Sequence, residues 1–110
     1  MKLLFVCGKN RRRSPTAEII FSEYDSIETR SAGVNRDSDT VLSEEMINWA
    51  DIVFVMEDKH RTKIQRKYRE LFKSKKIINL NIKDNYGFMD SELTEILEKK
   101  VRHYLKKTVT

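Results

Sequence analysis

The sequence has one cysteine, one proline, three glycines and no long apolar run. A single cysteine excludes an internal disulfide and a cysteine-based zinc cluster, so Cys7 is either a small buried side chain or a reactive thiol. No apolar run approaches the ~20 residues needed to cross a bilayer. The apolar start, residues 1–6, also runs into Cys7 and positive charge without a small-residue cleavage site. We therefore expect a cytoplasmic protein.

The length and composition fit one small globular domain. The chain has 110 residues, of which 39% are hydrophobic and 35% are charged. Because glycine and proline are scarce and no stretch is of low complexity, nothing indicates a linker or an internal repeat. We expect a single domain over residues 1–110. The net charge of +5 favours anionic partners without identifying them.

Short apolar runs alternate with helical patterns along the chain. We predict strands at 2–6, 27–31, 51–56 and 76–80, and helices capped by Ser14, Ser43, Asp58 and Asp90. Such alternation implies an α/β fold with a parallel sheet, right-handed crossovers and helices on both faces. Ligands bind such sheets outside the carboxyl ends of the strands, and Cys7 follows the first strand directly.

The loop between this strand and the first helix has the features of an anion site. Backbone N–H groups of residues 8–14 lack strand or helix partners, and a nest of such groups at a helix N-terminus attracts anions. Gly8 permits unusual backbone angles and Asn10 tolerates a left-handed conformation. Arg13 can present a planar guanidinium to two oxygens of a tetrahedral oxyanion. We therefore predict a phosphate-binding loop.

The position of Cys7 at the centre of this loop predicts a nucleophile. The dipoles that hold phosphate also stabilise a thiolate, and a thiolate can attack the phosphorus of a bound monoester. Arg13 and the backbone N–H groups would then hold the equatorial oxygens in the transition state. Ser14 could stabilise the thiolate as it leaves in the second step. The alternative interpretation of Cys7 is a buried structural thiol.

The order strand, Cys-x5-Arg, Ser-Pro and helix resembles the low-molecular-weight protein tyrosine phosphatase family, whose loop reads Cys-x-Gly-Asn-x-x-Arg-Ser-Pro. Cys7, Asn10, Arg13, Ser14 and Pro15 match it. Residues 10–18 are similar to a short bacterial branch of the family, and the resemblance covers essentially the whole chain. It implies a three-layer sandwich with a four-stranded parallel sheet in the order 2-1-3-4. It also implies hydrolysis of phosphotyrosine or another aryl phosphate through a phosphocysteine intermediate, without metal or cofactor.

Two loop positions depart from the family. Lys9 stands where the family has glycine, and Arg12 replaces a second cysteine that is common there. We expect Arg13 to be catalytic, while the neighbouring cations tune the local field or face outward. The remaining loop residues are candidates for substrate binding, namely Gly8, Lys9, Asn10, Arg11, Arg12 and Ser14.

The resemblance also implies a carboxylic acid that protonates the leaving phenolate. The family's acid lies in an Asp-Pro-Tyr loop before the last helix, where this chain has Asp84, Asn85 and Tyr86. We expect Asp84 to be the acid and Tyr86 to line the mouth of the pocket, although Asp84 could be a turn former and Tyr86 a packing residue. Asp90 is explained by helix capping.

Other interpretations remain open. The scaffold could reduce arsenate with an external thiol, or the basic chain could be a non-catalytic module that binds phosphate or nucleic acid. The basic run 59–76 is either a solvated face or a docking surface for an acidic partner. His60 and His103 have no matching ligand pair and are expected to be surface or packing residues. We expect a phosphotyrosine protein or a small aryl phosphate as substrate, and a monomer or weak homodimer. The sequence does not name the physiological substrate.

Overall fold

A computed structural model describes the backbone of residues 1–109 and the side chains of residues 1–106. The strands are β1 (Lys2–Cys7), β2 (Glu28–Gly33), β3 (Ile52–Val55) and β4 (Lys76–Asn79). The helices are α1 (Arg13–Ser22), α2 (Glu44–Trp49), α3 (Asp58–Lys67), α4 (Arg69–Ser74) and α5 (Ser91–Val109). In this part of the chain, no helix combines the length and the apolar character needed to cross a membrane.

The four strands form one parallel sheet in the order β2-β1-β3-β4. The predicted fold class and strand order are therefore confirmed. β1 lies at the centre, where Cys7 pairs with Gly33 of β2 and Val6 pairs with Val55 of β3. The chain places β2 on one side of β1 and β3 on the other, so the direction of strand addition reverses next to β1. Such sheets bind ligands at the carboxyl ends of the strands at this point.

Helices cover both faces of the sheet, as predicted. Phe5 of β1 is fully buried on one face, with its ring stacked between Phe21 at 5.7 Å and Phe54 at 5.5 Å, and α1 and α5 cover this side. Leu4 and Val6 point to the other face, where α2, α3 and α4 pack. The central strand is therefore buried on both sides, which explains its continuous apolar sequence.

Two of the four predicted helix caps are confirmed and two are wrong. Ser43 accepts a hydrogen bond from the Met46 N–H at 3.4 Å, and Asp90 accepts from the backbone at 2.8 Å and 3.2 Å. Ser14 instead lies inside the first turn of α1, because its hydroxyl is used by the loop that precedes the helix. Asp58 is the first residue of α3, and Glu57 caps that helix.

Candidate active site

The sulfur of Cys7 lies at the carboxyl end of β1 and is held by the loop that follows. The Asn10 N–H points to the sulfur at 3.3 Å, and the Ser14 Oγ lies 2.9 Å from it. The same hydroxyl is 2.9 Å from the Asn10 Oδ1. The sulfur is thus surrounded by hydrogen-bonding groups that can donate to a thiolate.

Hydrogen bonds on the outer side of the loop fix its shape. The carbonyl groups of residues 7, 8 and 9 accept from the segment that follows β2: Val34 N–H to Cys7 at 3.0 Å, Asn35 N–H to Gly8 at 2.9 Å and Asp39 N–H to Lys9 at 3.1 Å. Because these carbonyls point outward, the Asn10 N–H can turn inward. An inward-pointing loop N–H of this kind is the element from which anion-binding nests are built.

Backbone angles confirm one sequence prediction and correct another. Asn10 has φ 57°, the predicted left-handed conformation. Its amide oxygen accepts a hydrogen bond from the Ser14 hydroxyl, which helps to stabilise this conformation. Gly8 does not have a positive φ, so the expected use of glycine for an unusual angle is wrong. Gly33 is the last residue of β2. A Cβ there would lie 2.7 Å from the Gly8 carbonyl oxygen, so close approach requires glycine.

Arg13 is buried and held on one side by the protein. Its exposed fraction is only 4%, and its Nη1 donates to the Glu57 carboxylate at 2.6 Å and to the Ile82 carbonyl at 2.7 Å. Its Nε lies 3.7 Å from an oxygen of Asp84. Within the described residues, no hydrogen bond reaches Nη2. That edge of the guanidinium is available to an anion in the loop.

Glu57 and His60 form a reciprocal cap at the start of α3. The Glu57 carboxylate accepts from the His60 backbone, while the Glu57 N–H donates to His60 Nδ1 at 3.1 Å. Burial, together with the nearby Arg13 charge, lowers the pKa of His60 from 6.5 to about 4. His60 is therefore neutral at pH 7, with its proton on Nε2. Burial raises the pKa of Glu57, but the bond and charge of Arg13 outweigh it and lower that pKa overall.

A cavity of about 410 Å³ opens above the loop. Its lining is strongly basic and includes Lys9, Arg11, Arg12, Arg13, Lys59 and Lys63, with Asp84 as the acid. Lys9 pairs with Asp37 at 3.3 Å and Arg11 with Asp39 at 3.3 Å. These two loop cations therefore also tie the phosphate loop to the segment after β2.

The two predicted acid-loop residues lie in different places. Asp84 lines the cavity, with its side chain half exposed and one oxygen 3.9 Å from the Arg12 Nη1. Tyr86 is partly buried against the apolar cluster under α5 and is not among the residues that line the cavity. Asp90 uses its carboxylate to cap α5, as expected. The structure brings Cys7, Arg13 and Asp84 to one cavity and leaves Tyr86 packed beside it.

Sequence reasoning did not name Glu57, Asn35 or Lys63 individually, and it did not assign His60 to the site. Glu57 caps α3, His60 lies in the first turn of that helix, Asn35 follows β2, and Lys63 is one turn further along α3. His60 was expected to be a surface or packing residue, and it is 1% exposed with its ring beside the cavity. Their positions after predicted strands could have identified them. β3 neighbours β1 in the sheet, so residues that follow β3 lie close to those that follow β1.

Solved structures with the same fold span nearly the whole chain. An arginine phosphatase, YwlE, from Geobacillus stearothermophilus is 22% identical over 97% of this chain and 94% of its own, with a TM-score of 0.76. A low molecular weight protein tyrosine phosphatase from T. tengcongensis is 26% identical over 94% and 99%, with a TM-score of 0.74. The tyrosine phosphatase Wzb from Escherichia coli K30, in complex with phosphate, is 21% identical over 96% of both chains, with a TM-score of 0.76.

Sequence comparisons add nothing to this. No family profile matches the chain, and no curated protein matches it in sequence. The similarity therefore rests on the fold and on the loop after β1.

Proposed function

We propose that this chain, which shares the fold of low molecular weight protein tyrosine phosphatases, hydrolyses phosphotyrosine or other aryl phosphate monoesters through Cys7. The observation that carries the proposal is the cradle of Cys7. One cavity is lined by the Cys7 thiol, the buried Arg13 and the carboxyl group of Asp84. In the loop after β1, the Asn10 N–H points to the sulfur of Cys7.

In the first step, the Cys7 thiolate attacks phosphorus and the ester P–O bond breaks. Asp84 gives its proton to the departing phenolate oxygen, which leaves a phosphocysteine. Arg13 and the loop N–H groups hold the equatorial oxygens, whose charge changes in the transition state. The hydrogen bonds from Arg13 Nη1 to Glu57 and Ile82 support this role, because they fix the orientation of the whole guanidinium.

In the second step, a water molecule attacks the phosphocysteine and Asp84 takes its proton. The S–P bond breaks, inorganic phosphate leaves and the thiolate returns. The Ser14 hydroxyl, 2.9 Å from the sulfur, can donate to this thiolate. In the resting thiol form the same hydroxyl can accept from the thiol and donate to the Asn10 Oδ1. Ser14 therefore needs only to rotate one proton between the two states.

The basic lining favours aryl phosphates over phosphoarginine. A phosphoarginine substrate brings a guanidinium leaving group into a cavity that contains lysines and arginines on both sides, so like charges repel. A phenol leaving group carries no such charge. Arsenate reduction is less well supported, since the family's reductases relay electrons through further cysteines and this chain has one.

The test is hydrolysis of aryl phosphates by the wild type and by single variants. We expect Cys7→Ser and Arg13→Ala to abolish measurable turnover, and Asp84→Asn to lose roughly 10²–10⁴-fold. The loss in Asp84→Asn should be larger for phenyl phosphate than for p-nitrophenyl phosphate, because the poorer leaving group depends more on the acid. Phosphoarginine should react more slowly than phosphotyrosine.

Asp90→Asn is the matched control, since asparagine also caps helices well. It should keep turnover near that of the wild type. An inactive wild type, or a Cys7→Ser variant that keeps its rate, would show that the proposed chemistry is wrong. A larger loss in Asp90→Asn than in Asp84→Asn would move the acid to Asp90.

A further inference from the structure

The cavity has a second group of hydrogen-bond donors beside the phosphate loop, on the α3 side. His60 is 1% exposed, and its Nε2 is buried without a hydrogen-bond partner among the described residues. Because Nδ1 accepts the Glu57 N–H, Nε2 carries the proton and is a donor. A buried donor without a partner is destabilising. This one lies where a ligand could accept from it, since His60 lines the cavity.

Asn35 supplies a second donor at the same place. Its Oδ1 accepts from the Lys63 ammonium at 2.7 Å, which turns its Nδ2 toward the loop. A Cβ built on Gly8 would lie 3.6 Å from Asn35 Nδ2 and 3.8 Å from His60 Nε2. Both donors therefore face the small open volume that the missing side chain of Gly8 leaves.

Lys63 gives this place a positive charge, and among the described residues no carboxylate forms a salt bridge with it. Lys9, Arg11, Arg12, Arg13 and Lys59 each form an ion pair. In the described part of the chain, the ammonium of Lys63 donates a hydrogen bond to the neutral amide of Asn35. Glu57, the acid that caps α3, is bonded to Arg13 at 2.6 Å. An ammonium and two neutral N–H donors without a carboxylate are suited to an anion.

We infer that Asn35, His60 and Lys63 form a second anion subsite, so that the preferred substrate carries another anionic group close to the phosphate ester. This inference rests on the proposed phosphatase function and names the substrate class: an aryl phosphate or phosphotyrosine peptide with a neighbouring carboxylate or second phosphate. Gly8 is required there because a larger side chain would occupy the space between the donors.

The test compares substrates that differ in charge but hardly in size. 3-Carboxyphenyl phosphate and 3-carbamoylphenyl phosphate form the small pair, and phosphotyrosine peptides with glutamate or glutamine next to the phosphotyrosine form the peptide pair. Affinities are measured with Cys7→Ser protein, which separates binding from leaving-group effects. kcat/KM is measured with the native cysteine. We expect about a five- to tenfold preference for the charged member, from one charge pair at short range in a partly solvated cavity.

Lys63→Gln should reduce this preference to twofold or less, and Gly8→Ala should reduce it by filling the subsite. Arg66→Gln is the matched control, because Arg66 is an exposed cation in the last turn of α3 outside the cavity lining. It should keep the wild-type preference. Rising salt should weaken the preference in the wild type.

The outcomes test the second anion subsite and the phosphatase function separately. Equal affinity for both members of each pair overturns the subsite even where aryl phosphates are hydrolysed. An equal loss for charged and neutral substrates in Lys63→Gln also overturns it, since the donors would then serve the scissile phosphate. A wild type that binds the charged member preferentially but hydrolyses neither supports the subsite and contradicts the phosphatase. A preference seen only with the small pair indicates a small molecule as the source of the anion, and one seen only with the peptide pair indicates a peptide.

Discussion

At the scale of single residues, Arg13 is the most constrained side chain of the site. Its guanidinium is almost fully buried and pairs with a partly buried carboxylate, Glu57. A buried pair gains little net stability, but removal of one partner leaves an uncompensated charge that costs about 3–5 kcal/mol. The pair is thus best understood as a device that fixes the orientation of Arg13.

His60 makes the stability of the protein depend on pH. Its pKa is about 4 when folded and near 6.5 when unfolded, so the unfolded chain takes up the proton first as the pH falls. Stability is complete above pH 6.5 and decreases toward pH 4. We expect a loss of about 2 kcal/mol in the free energy of unfolding between pH 7.5 and pH 5, measured by urea denaturation. The lowered pKa of Glu57 acts in the same direction at still lower pH.

His60→Gln should flatten this decline between pH 6.5 and pH 5, because the titrating group is gone. His103→Gln, which changes an exposed histidine of α5, is the control and should keep the wild-type profile. A decline of the same size in His60→Gln would assign the pH dependence to other groups.

The sequence predicts the local part of the site and not its long-range part. Cys7, Asn10 and Arg13 lie within one loop, so their spacing alone indicates an anion cradle. The contact of Arg13 with Glu57 joins residues 44 positions apart, and that with Ile82 joins residues 69 positions apart. Only the pairing of β3 with β1 and of β4 with β3 brings these groups together, and no local pattern encodes that distance.

At the scale of elements, competition for side chains decides where the helices begin. Ser14 has the right residue type for a cap, but a hydrogen bond to the sulfur and one to Asn10 use its hydroxyl. α1 therefore begins at Arg13 without a side-chain cap. Glu57, and not Asp58, caps α3, because both its backbone N–H and its carboxylate form hydrogen bonds with His60. Propensity predicts that a helix begins near these positions, and the hydrogen-bond partners of individual side chains set the first residue.

The contact between β2 and the phosphate loop depends on Gly33. A Cβ at this position would lie 2.2 Å from the Ser38 Oγ and 2.7 Å from the Gly8 carbonyl oxygen. Because the second contact is with backbone, we expect Gly33→Ala to destabilise the fold by about 1–3 kcal/mol and to displace the loop. Thermal unfolding and aryl phosphate turnover measure the two effects.

Gly87→Ala is the control, since a Cβ there meets nothing within 4 Å. It should change neither measurement. Ser38→Ala combined with Gly33→Ala should recover only part of the loss, because the close contacts with the Gly8 carbonyl oxygen and the Cβ of residue 38, each at 2.7 Å, remain. Full recovery would locate the strain in the Ser38 hydroxyl alone.

At the scale of the whole molecule, alternation of strands and helices predicts the α/β class, and the family resemblance supplies the strand order. The two apolar faces of β1 then follow from its continuous hydrophobic sequence. The shape of the cavity does not follow, because it depends on which side chains of four separate segments face one another. Tyr86 illustrates this: its place in the sequence suggests the pocket mouth, while the structure packs it under α5.

The whole chain contains a single cysteine, which determines how it responds to oxidants. Cys7 lines the cavity, so peroxide can reach it through the same opening as a substrate. We expect peroxide to inactivate the enzyme and to add one, two and then three oxygen atoms to Cys7, without an intramolecular disulfide. Intact-protein mass spectrometry and aryl phosphate turnover follow the reaction.

Inorganic phosphate in the loop should slow this oxidation, and Cys7→Ser should acquire none of the cysteine-dependent oxygens. Full recovery by dithiothreitol after prolonged exposure would argue against irreversible oxidation as the usual outcome, since only the first product is reversible by thiols.

The outward hydrogen bonds of the loop carbonyls have a thermodynamic consequence. Because residues 7–9 are held by the segment after β2, the cradle loses its conformational freedom when the chain folds and not when an anion arrives. An anion that binds the folded loop and not the unfolded chain stabilises the molecule by RT ln(1 + [L]/Kd). Because the loop is bonded to the segment after β2, we expect added phosphate to raise the free energy of unfolding of the whole domain.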